Sequence, residues 1–301
     1  HRVMMDALIS SSILLLIFCS PVAAASPLPT RSSALLPLSM RSSALFLKPY
    51  RGGGPRGSVK AEGTDSEGSA PVLDFYTSEM CPYAQRVWIV LEELGIPYEK
   101  TLIDLRNKPA WYLKEVNPLG KVPAVRDRAD SMVVYESLTV GEYLVDRFDA
   151  AGESGLMPAD AAGRARVRLW NAHLDSVLSP AVFTCFMNKD EAKEEGLREC
   201  LGAALQVYED QLVGPFLCGE AFTLADAAAL PFFERMLFSL RHFKDFDAVP
   251  ADRYPRLSRW VADAMARPSF VTTRRPEDKL VEVYRMFYER DYAFGGLNRN
   301  K

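Results

Sequence analysis

Cysteine and histidine are scarce in this sequence, and those present do not cluster. Among 301 residues there are five cysteines and three histidines. The sequence has no Cys-x-x-Cys pair, and no group of cysteines and histidines has the spacing of a zinc site. The sequence therefore predicts no bound metal.

Long basic runs are missing as well. The chain has 36 Lys and Arg residues against 39 Asp and Glu residues, for a formal net charge of -3. A nucleic-acid-binding domain usually concentrates positive charge on one face or along one helix. We therefore expect no nucleic-acid partner, and the 48% hydrophobic content is that of a globular protein.

Acidic residues are absent between Asp6 and Glu62. Residues 7–19 are apolar but too short for a transmembrane helix, and small residues follow them, as in a signal peptide. The Arg- and Ser-rich segment after them has the composition of a transit peptide. We predict a signal peptide-like segment at 1–25, a transit peptide-like and linker segment at 26–70, and no membrane span in the mature protein.

A signal peptide followed by a transit peptide resembles the bipartite plastid import signal of algae with secondary plastids. The sequence therefore predicts a plastid location. Two alternatives stay open: plain secretion, and a cytoplasmic protein whose first residues come from upstream translation.

The remaining chain divides into two predicted domains. Residues 71–148 alternate short β-branched strands with amphipathic segments and include two adjacent strands, which indicates a small α/β domain. Residues 160–295 carry apolar residues only at three- and four-residue spacing, which indicates an all-helical domain. The fold class predicted is thus α/β followed by all-α.

Cys81 lies where a predicted strand ends and a predicted helix begins. Pro82 occupies the first helical position, so Cys81 is the expected N-terminal cap. Free backbone N–H groups and the helix dipole favour an anion there. Thiols at such positions have pKa values of roughly 3.5 to 7.5. The sequence therefore predicts a thiolate at neutral pH.

Two further segments suit a small peptide with a free amino-acid end. In "NPLGKVPAV", a cis bond before Pro123 is conceivable, and the extended backbone of Val122 would be free to pair with a peptide. In "YESL", Glu136 and Ser137 begin a predicted helix, where they would hold an ammonium and a carboxylate.

At this point the sequence resembles the glutathione transferases, specifically the cysteine-containing omega and lambda classes. The segments "CPYAQRVW", "NKPAW", "NPLGKVPAV" and "YESLTVGEYL" occur in that family's order, and the resemblance covers about residues 71–290. It implies a thioredoxin-like first domain, a helical second domain, and glutathione as co-substrate.

The resemblance also implies the roles of particular residues. Cys81 would form a mixed disulfide with glutathione. The residues that would bind glutathione are Tyr83, Lys108, Val122, Pro123, Glu136 and Ser137. Lys108 would contact the glycyl carboxylate, the Val122 backbone the cysteinyl residue, and Glu136 with Ser137 the γ-glutamyl end.

Ala84 determines the chemistry to expect, because related glutaredoxins have a second, resolving cysteine at that place. Without it, turnover requires a second glutathione. We therefore expect a glutathione-dependent thiol transferase acting on a small oxidised or glutathionylated substrate, as a monomer or homodimer.

Two alternatives remain at this stage. One is a dehydroascorbate reductase. The other is a non-catalytic ligand carrier, or a relative of the intracellular chloride channel proteins, with Trp170, Phe183, Phe186 and Phe238 lining a pocket.

Overall fold

The computed structural model describes residues 70–290. The targeting segments expected within residues 1–70 lie outside this range, apart from Ala70. The last residues of the predicted helical domain, 291–295, lie outside it too.

The first part of the described chain is a four-stranded sheet with helices. Its elements are β1 (Leu73–Thr77), α1 (Pro82–Glu93), β2 (Tyr98–Leu102), α2 (Ala110–Glu115), β3 (Ala124–Asp127), β4 (Val133–Tyr135) and α3 (Ser137–Phe148). The strand order is β2-β1-β3-β4; β2 runs parallel to β1, whereas β3 is antiparallel to both β1 and β4. A β-α-β unit joined to an antiparallel pair of strands is the thioredoxin-like arrangement.

Strand β1 lies inside the sheet and is covered on both faces. Leu73 and Phe75 have no exposed surface, and the Phe75 ring packs edge-on against Trp88 of α1 and Tyr98 of β2. The apolar residues Leu73, Phe75 and Tyr76 are all buried, whereas Asp74 is partly exposed. This packing fixes the end of β1, where Cys81 follows.

The second part of the described chain is helical. Its helices are α4 (Ala161–His173), α5 (Ser179–Met187), α6 (Glu191–Gln211), α7 (Leu224–Lys244), α8 (Pro255–Met265), α9 (Pro268–Thr273) and α10 (Glu277–Arg290). A π-helical turn, Leu174–Leu178, joins α4 to α5. No strand occurs within residues 161–290, so the α/β plus all-α fold class is confirmed.

The sequence pattern does not show two details of this helical part. Residues 161–187 read as one helix, because apolar residues keep helical spacing across the π turn, which inserts only one additional residue per turn. The pattern does not resolve α9 as a separate helix, because six residues are too few for a periodic signal.

Helix α7 begins with a capping box. Thr223 Oγ1 accepts from Ala225 N–H at 3.3 Å, while Asp226 Oδ2 accepts from Thr223 N–H at 2.9 Å. Asp226 is buried and also accepts from Trp260 Nε1 at 2.8 Å. These bonds give Asp226 a structural role.

Helix α1 joins the two parts, because it packs against both α3 and α7. At its far end the Glu93 carboxylate accepts from Arg267 Nε at 2.9 Å and Nη2 at 2.7 Å. Cys81 at the start of α1 is thereby held at the boundary between the sheet and the helices. None of the helices within residues 70–290 is long and apolar enough to cross a membrane.

Candidate active site

Cys81 caps helix α1. Its backbone is extended, with φ -80° and ψ 118°, and its carbonyl accepts from Gln85 N–H at 3.0 Å. Its own N–H donates to Ser78 O at 3.0 Å, which closes the turn after β1. The strand-to-helix junction predicted from the sequence is therefore present.

The expected low pKa of Cys81 is wrong in direction. Burial raises the pKa of the thiol and is the largest effect. The backbone N–H groups of Ala84 and Tyr83, together with the positive charges of Arg235 and Arg86, act in the opposite sense. The helix terminus favours a thiolate as predicted, but the surrounding protein removes more hydration than those groups replace.

The loop before β3 lies against this thiol. The Val122–Pro123 peptide bond is cis, and Cys81 Sγ lies 3.9 Å from Val122 O. Tyr112 Oη and Asn117 Nδ2 both donate to Lys121 O, at 2.6 and 2.9 Å, and hold the turn in place. The Val122 backbone is thus presented beside the sulfur.

Lys108 lies over the same turn. Gly120 has a φ of +63°, and a Cβ there would stand 2.9 Å from Lys108 Cδ and 3.3 Å from its Nζ. Glycine therefore serves two needs at this position: the left-handed backbone and the space for the lysine stem. Lys108 is exposed and lies close to Gly120, two residues before Val122.

Glu136 and Ser137 form the start of α3. Glu136 is exposed and has a φ of 71°, which is uncommon for a residue with a side chain. Such backbone strain is found most often at active sites and ligand clamps. Ser137 is buried, and its Oγ accepts from Arg86 Nη1 at 3.2 Å.

Arg86 is a site residue that the sequence analysis missed. Its side chain is buried on α1, where Nε donates to Ala228 O of α7 at 3.0 Å. Its Nη2 pairs with Asp175 Oδ1 of the π turn at 2.5 Å. With the Ser137 contact, one guanidinium joins three helices and the π turn. A charged residue among the apolar positions of α1 is the one signal that could have indicated it.

A mainly apolar cavity of about 210 Å³ opens beside the first turn of α1, directly after Cys81. Pro82 and Tyr83 form one side of it, and the rest comes from the π turn, α5, α7 and α10. Burial raises the pKa of Tyr83, so its hydroxyl stays protonated and can donate a hydrogen bond. The Tyr83 ring packs edge-on against Phe232, with ring centroids 5.0 Å apart.

Two of the four aromatic residues considered for a carrier pocket line this cavity, namely Phe183 and Phe186. Trp170 instead packs against Tyr208 in the core and donates from Nε1 to Leu217 O at 2.9 Å. Phe238 is buried against Tyr284, with centroids 4.8 Å apart.

Comparison with known proteins agrees with the geometry. A family model for the glutathione S-transferase N-terminal domain matches residues 80–147, and one for the C-terminal domain matches residues 174–268. The chain belongs to the glutathione S-transferase family.

Relatives of this glutathione transferase come from several named groups. It is 32% identical to glutathione S-transferase L3 of Arabidopsis thaliana over 70% of this chain and 85% of the relative. It is 30% identical to the chloroplastic L2 protein of the same plant, over 84% of this chain and 91% of the relative. Other relatives carry DHAR and omega names. The resemblance to lambda- and omega-like transferases is confirmed.

Solved structures agree with the fold. Glutathione transferase Omega 1C from Trametes versicolor superposes with a TM-score of 0.64 at 29% identity, covering 73% of this chain and 98% of that structure. In this transferase the loop from β1 to α1 and the cis-proline loop meet at Cys81, and the start of α3 contacts α1 through the hydrogen bond between Arg86 and Ser137. Within residues 70–290, no group of three or more His, Cys, Asp or Glu side chains could hold a metal ion.

Proposed function

We propose that this protein is a glutathione-dependent thiol oxidoreductase that removes glutathione from mixed disulfides through Cys81. The observation that carries the proposal is the thiol itself: Cys81 caps α1 beside the cis-proline loop, and Ala84 occupies the place of a resolving thiol. The cysteine can form a disulfide with glutathione but none within this turn of helix.

The reaction has two balanced steps. The Cys81 thiolate attacks the glutathionyl sulfur of a mixed disulfide; the old S–S bond breaks, and the released thiolate takes up a proton. A second glutathione, as thiolate, then attacks the Cys81 adduct and leaves as glutathione disulfide. One molecule of glutathione is oxidised for each substrate thiol that is reduced.

Glutathione would lie between the cis-proline loop and the start of α3. The Val122 backbone, held next to Pro123, would pair with the cysteinyl residue. At the γ-glutamyl end, Glu136 would hold the ammonium, while Ser137 and the α3 N–H groups would hold the carboxylate. These assignments are supported by the 3.9 Å approach of Cys81 Sγ to Val122 O and by the hydrogen bond that joins Ser137 to α1.

Two residues lie at the ends of this proposed arrangement. Lys108 would reach the glycyl carboxylate from its position over Gly120. Tyr83, whose hydroxyl is a proton donor, would lie beside the glutathionyl sulfur.

The test is the glutathione-dependent reduction of the mixed disulfide between glutathione and 2-mercaptoethanol. We expect turnover by the unmodified protein and none by Cys81→Ser, whose hydroxyl cannot form the mixed disulfide. The matched control is Cys185→Ser, at a buried cysteine of α5. Inactivity of the unmodified protein would favour the non-catalytic carrier.

Dehydroascorbate reduction is the second candidate function, favoured by the relatives that carry DHAR names. The same Cys81 chemistry would serve it, so the two substrates should be compared at equal glutathione concentration. Higher kcat/KM for dehydroascorbate would make that reaction the principal one.

We also propose that the protein acts in a plastid. The composition of residues 1–70 supports this location, and chloroplastic relatives are named among the L and DHAR groups.

A further inference from the structure

The cavity beside Cys81 has a size suited to one substituted aromatic ring. A dry protein cavity of about 150 Å³ binds benzene, and this cavity measures about 210 Å³. Leu178, Val182, Phe183, Phe186 and Phe232 give it a largely apolar lining. A planar apolar group attached to the substrate sulfur that leaves the glutathionyl sulfur would fit there.

Arg235 of α7 also lines this cavity, although its side chain is almost fully buried, with 3% of its surface exposed. Its hydrogen bonds come from a single nitrogen, Nη1, which donates to Pro231 O at 3.3 Å, to Glu234 Oε2 at 2.6 Å, and to Gln85 Oε1. Nε and Nη2 are buried without a hydrogen-bond partner among the described residues.

An unpaired guanidinium face is costly to bury, because its N–H groups lose water and gain no acceptor. The nearby negative charge does not balance it. Glu234 pairs with Arg235 on one oxygen and with Arg274 Nε at 3.3 Å on the other, so two guanidinium groups share one carboxylate. Asp175, the other charged residue that lines the cavity, is already paired with Arg86 Nη2 at 2.5 Å. Arg235 is therefore the charged lining residue that keeps free donors.

We propose that Arg235 binds an anionic group on the disulfide substrate. The preferred substrates are then glutathione mixed disulfides of aromatic thiols that carry a carboxylate. This inference rests on the proposed thiol-transfer function for its chemistry. The apolar walls enclose the ring, and the donors Nε and Nη2 hold the carboxylate, as guanidinium groups commonly do.

The chemical step remains that of the proposed function. Cys81 attacks the glutathionyl sulfur, the S–S bond breaks, and the aromatic thiolate leaves into the cavity and takes up a proton. Arg235 contacts a part of the substrate that does not react. Its effect should therefore appear in the choice between substrates.

The test compares two mixed disulfides with glutathione, one of 4-mercaptobenzoate and one of the neutral 4-mercaptobenzamide. For the unmodified protein we expect kcat/KM to favour the carboxylate by about ten-fold or more, the range for charge-assisted hydrogen bonds. In Arg235→Met this ratio should fall close to one, whereas Arg235→Lys should keep part of it.

Two results would overturn the inference. One is an unmodified protein that treats the two substrates equally, which needs no variant and so does not depend on whether Arg235→Met folds. The other is an equal fall in kcat/KM for both substrates in Arg235→Met, because that pattern means that Arg235 acts on the Cys81 thiolate and not on the substrate carboxylate.

A binding measurement separates this inference from the proposed function. The probes are 4-(methylthio)benzoate and 4-(methylthio)benzamide, which have no disulfide to react, titrated calorimetrically into Cys81→Ser protein. The Arg235 site is supported if the carboxylate probe binds more tightly than the amide and if this preference disappears in the double variant Cys81→Ser/Arg235→Met. That result supports the site even if thiol transfer fails. Equal binding of both probes contradicts the site even if thiol transfer succeeds.

Discussion

At the scale of single residues, Cys81 experiences two opposed influences. Burial raises its pKa, while Arg235, Arg86 and the N–H groups at the start of α1 lower it. Because burial dominates, the reactive thiolate fraction should continue to grow as the pH rises above the usual thiol range. A change in the charges around Cys81 should therefore change the reactivity of its thiol.

Asp175→Asn should make Cys81 more reactive. The carboxylate of Asp175 lies 2.5 Å from Arg86 Nη2 and opposes the effect of that guanidinium on the thiol. Without it, the pKa of Cys81 should fall and its pH profile of iodoacetamide alkylation should move to lower pH. We expect a rate increase of about two- to five-fold below the pKa, since partly exposed ion pairs contribute up to about 1 kcal/mol.

The alkylation should be followed on the peptide that contains Cys81. Asp252→Asn, which removes an exposed carboxylate in the loop before α8, is the control and should leave the profile unchanged. A profile displaced to higher pH in Asp175→Asn would contradict the assigned role of Arg86.

Replacement of Glu136 or Ser137 should weaken glutathione binding. For Glu136→Ala and Ser137→Ala we expect roughly a ten-fold or larger loss of affinity, because each change removes a charge-assisted hydrogen bond to the ligand. Titration calorimetry with glutathione measures the loss. Glu136→Gln keeps the shape of the side chain without its charge, so it should resemble Glu136→Ala; unchanged affinity in both alanine variants would remove these residues from the site.

At the scale of secondary structure, the elements around the thiol follow from local rules. The apolar run of β1, Pro82 at the first helical position, and the Gly95 stop together predict α1, and Gly120 with Pro123 predicts the turn before β3. These signals are local because each depends on backbone conformation within a few residues. The π turn at Leu174–Leu178 has no such signal, since the apolar spacing continues through it.

Thr223 should stabilise the helical part without affecting chemistry. Its hydroxyl accepts from Ala225 N–H and donates to Asp226 Oδ2 at 2.9 Å. We expect Thr223→Ala to reduce the free energy of unfolding by about 1 to 2 kcal/mol, as for other caps, measured by urea denaturation. Thr223→Ser retains the hydroxyl and should lose much less; equal losses in the two variants would show that packing of the methyl group matters more than the cap.

At the scale of the whole molecule, the site depends on contacts between distant parts of the chain. Arg86 bonds to Ala228 O across 142 residues, and Arg235 bonds to Gln85 across 150 residues. In a sequence pattern, a charged residue on a helix is expected to face solvent. The pattern therefore predicts neither Arg86 nor Arg235 at the site. The glutathione-binding residues proposed for the first domain come from the family resemblance, whereas nothing in the sequence indicates the charges contributed by α7 and the π turn.

The proposed plastid location should depend on the N-terminal segment. Fusion of residues 1–70 to a fluorescent protein should direct it to the plastid of an alga with secondary plastids, because an apolar segment followed by an acid-free, Arg- and Ser-rich one has the composition of two successive import signals. Fluorescence microscopy measures this. A fusion of residues 26–70 alone is the control and should stay in the cytosol; fluorescence of the full segment in the cytosol or the medium would contradict the proposal.

The central claim is that Cys81 carries glutathione as a mixed disulfide, and peptide mapping by mass spectrometry tests it directly. After incubation with glutathione disulfide, the account predicts a glutathionyl adduct on the Cys81 peptide that reduced glutathione removes. The same treatment of Cys81→Ser should give no adduct at that position and no thiol transfer. An unmodified Cys81 in protein that still transfers thiols would contradict the account.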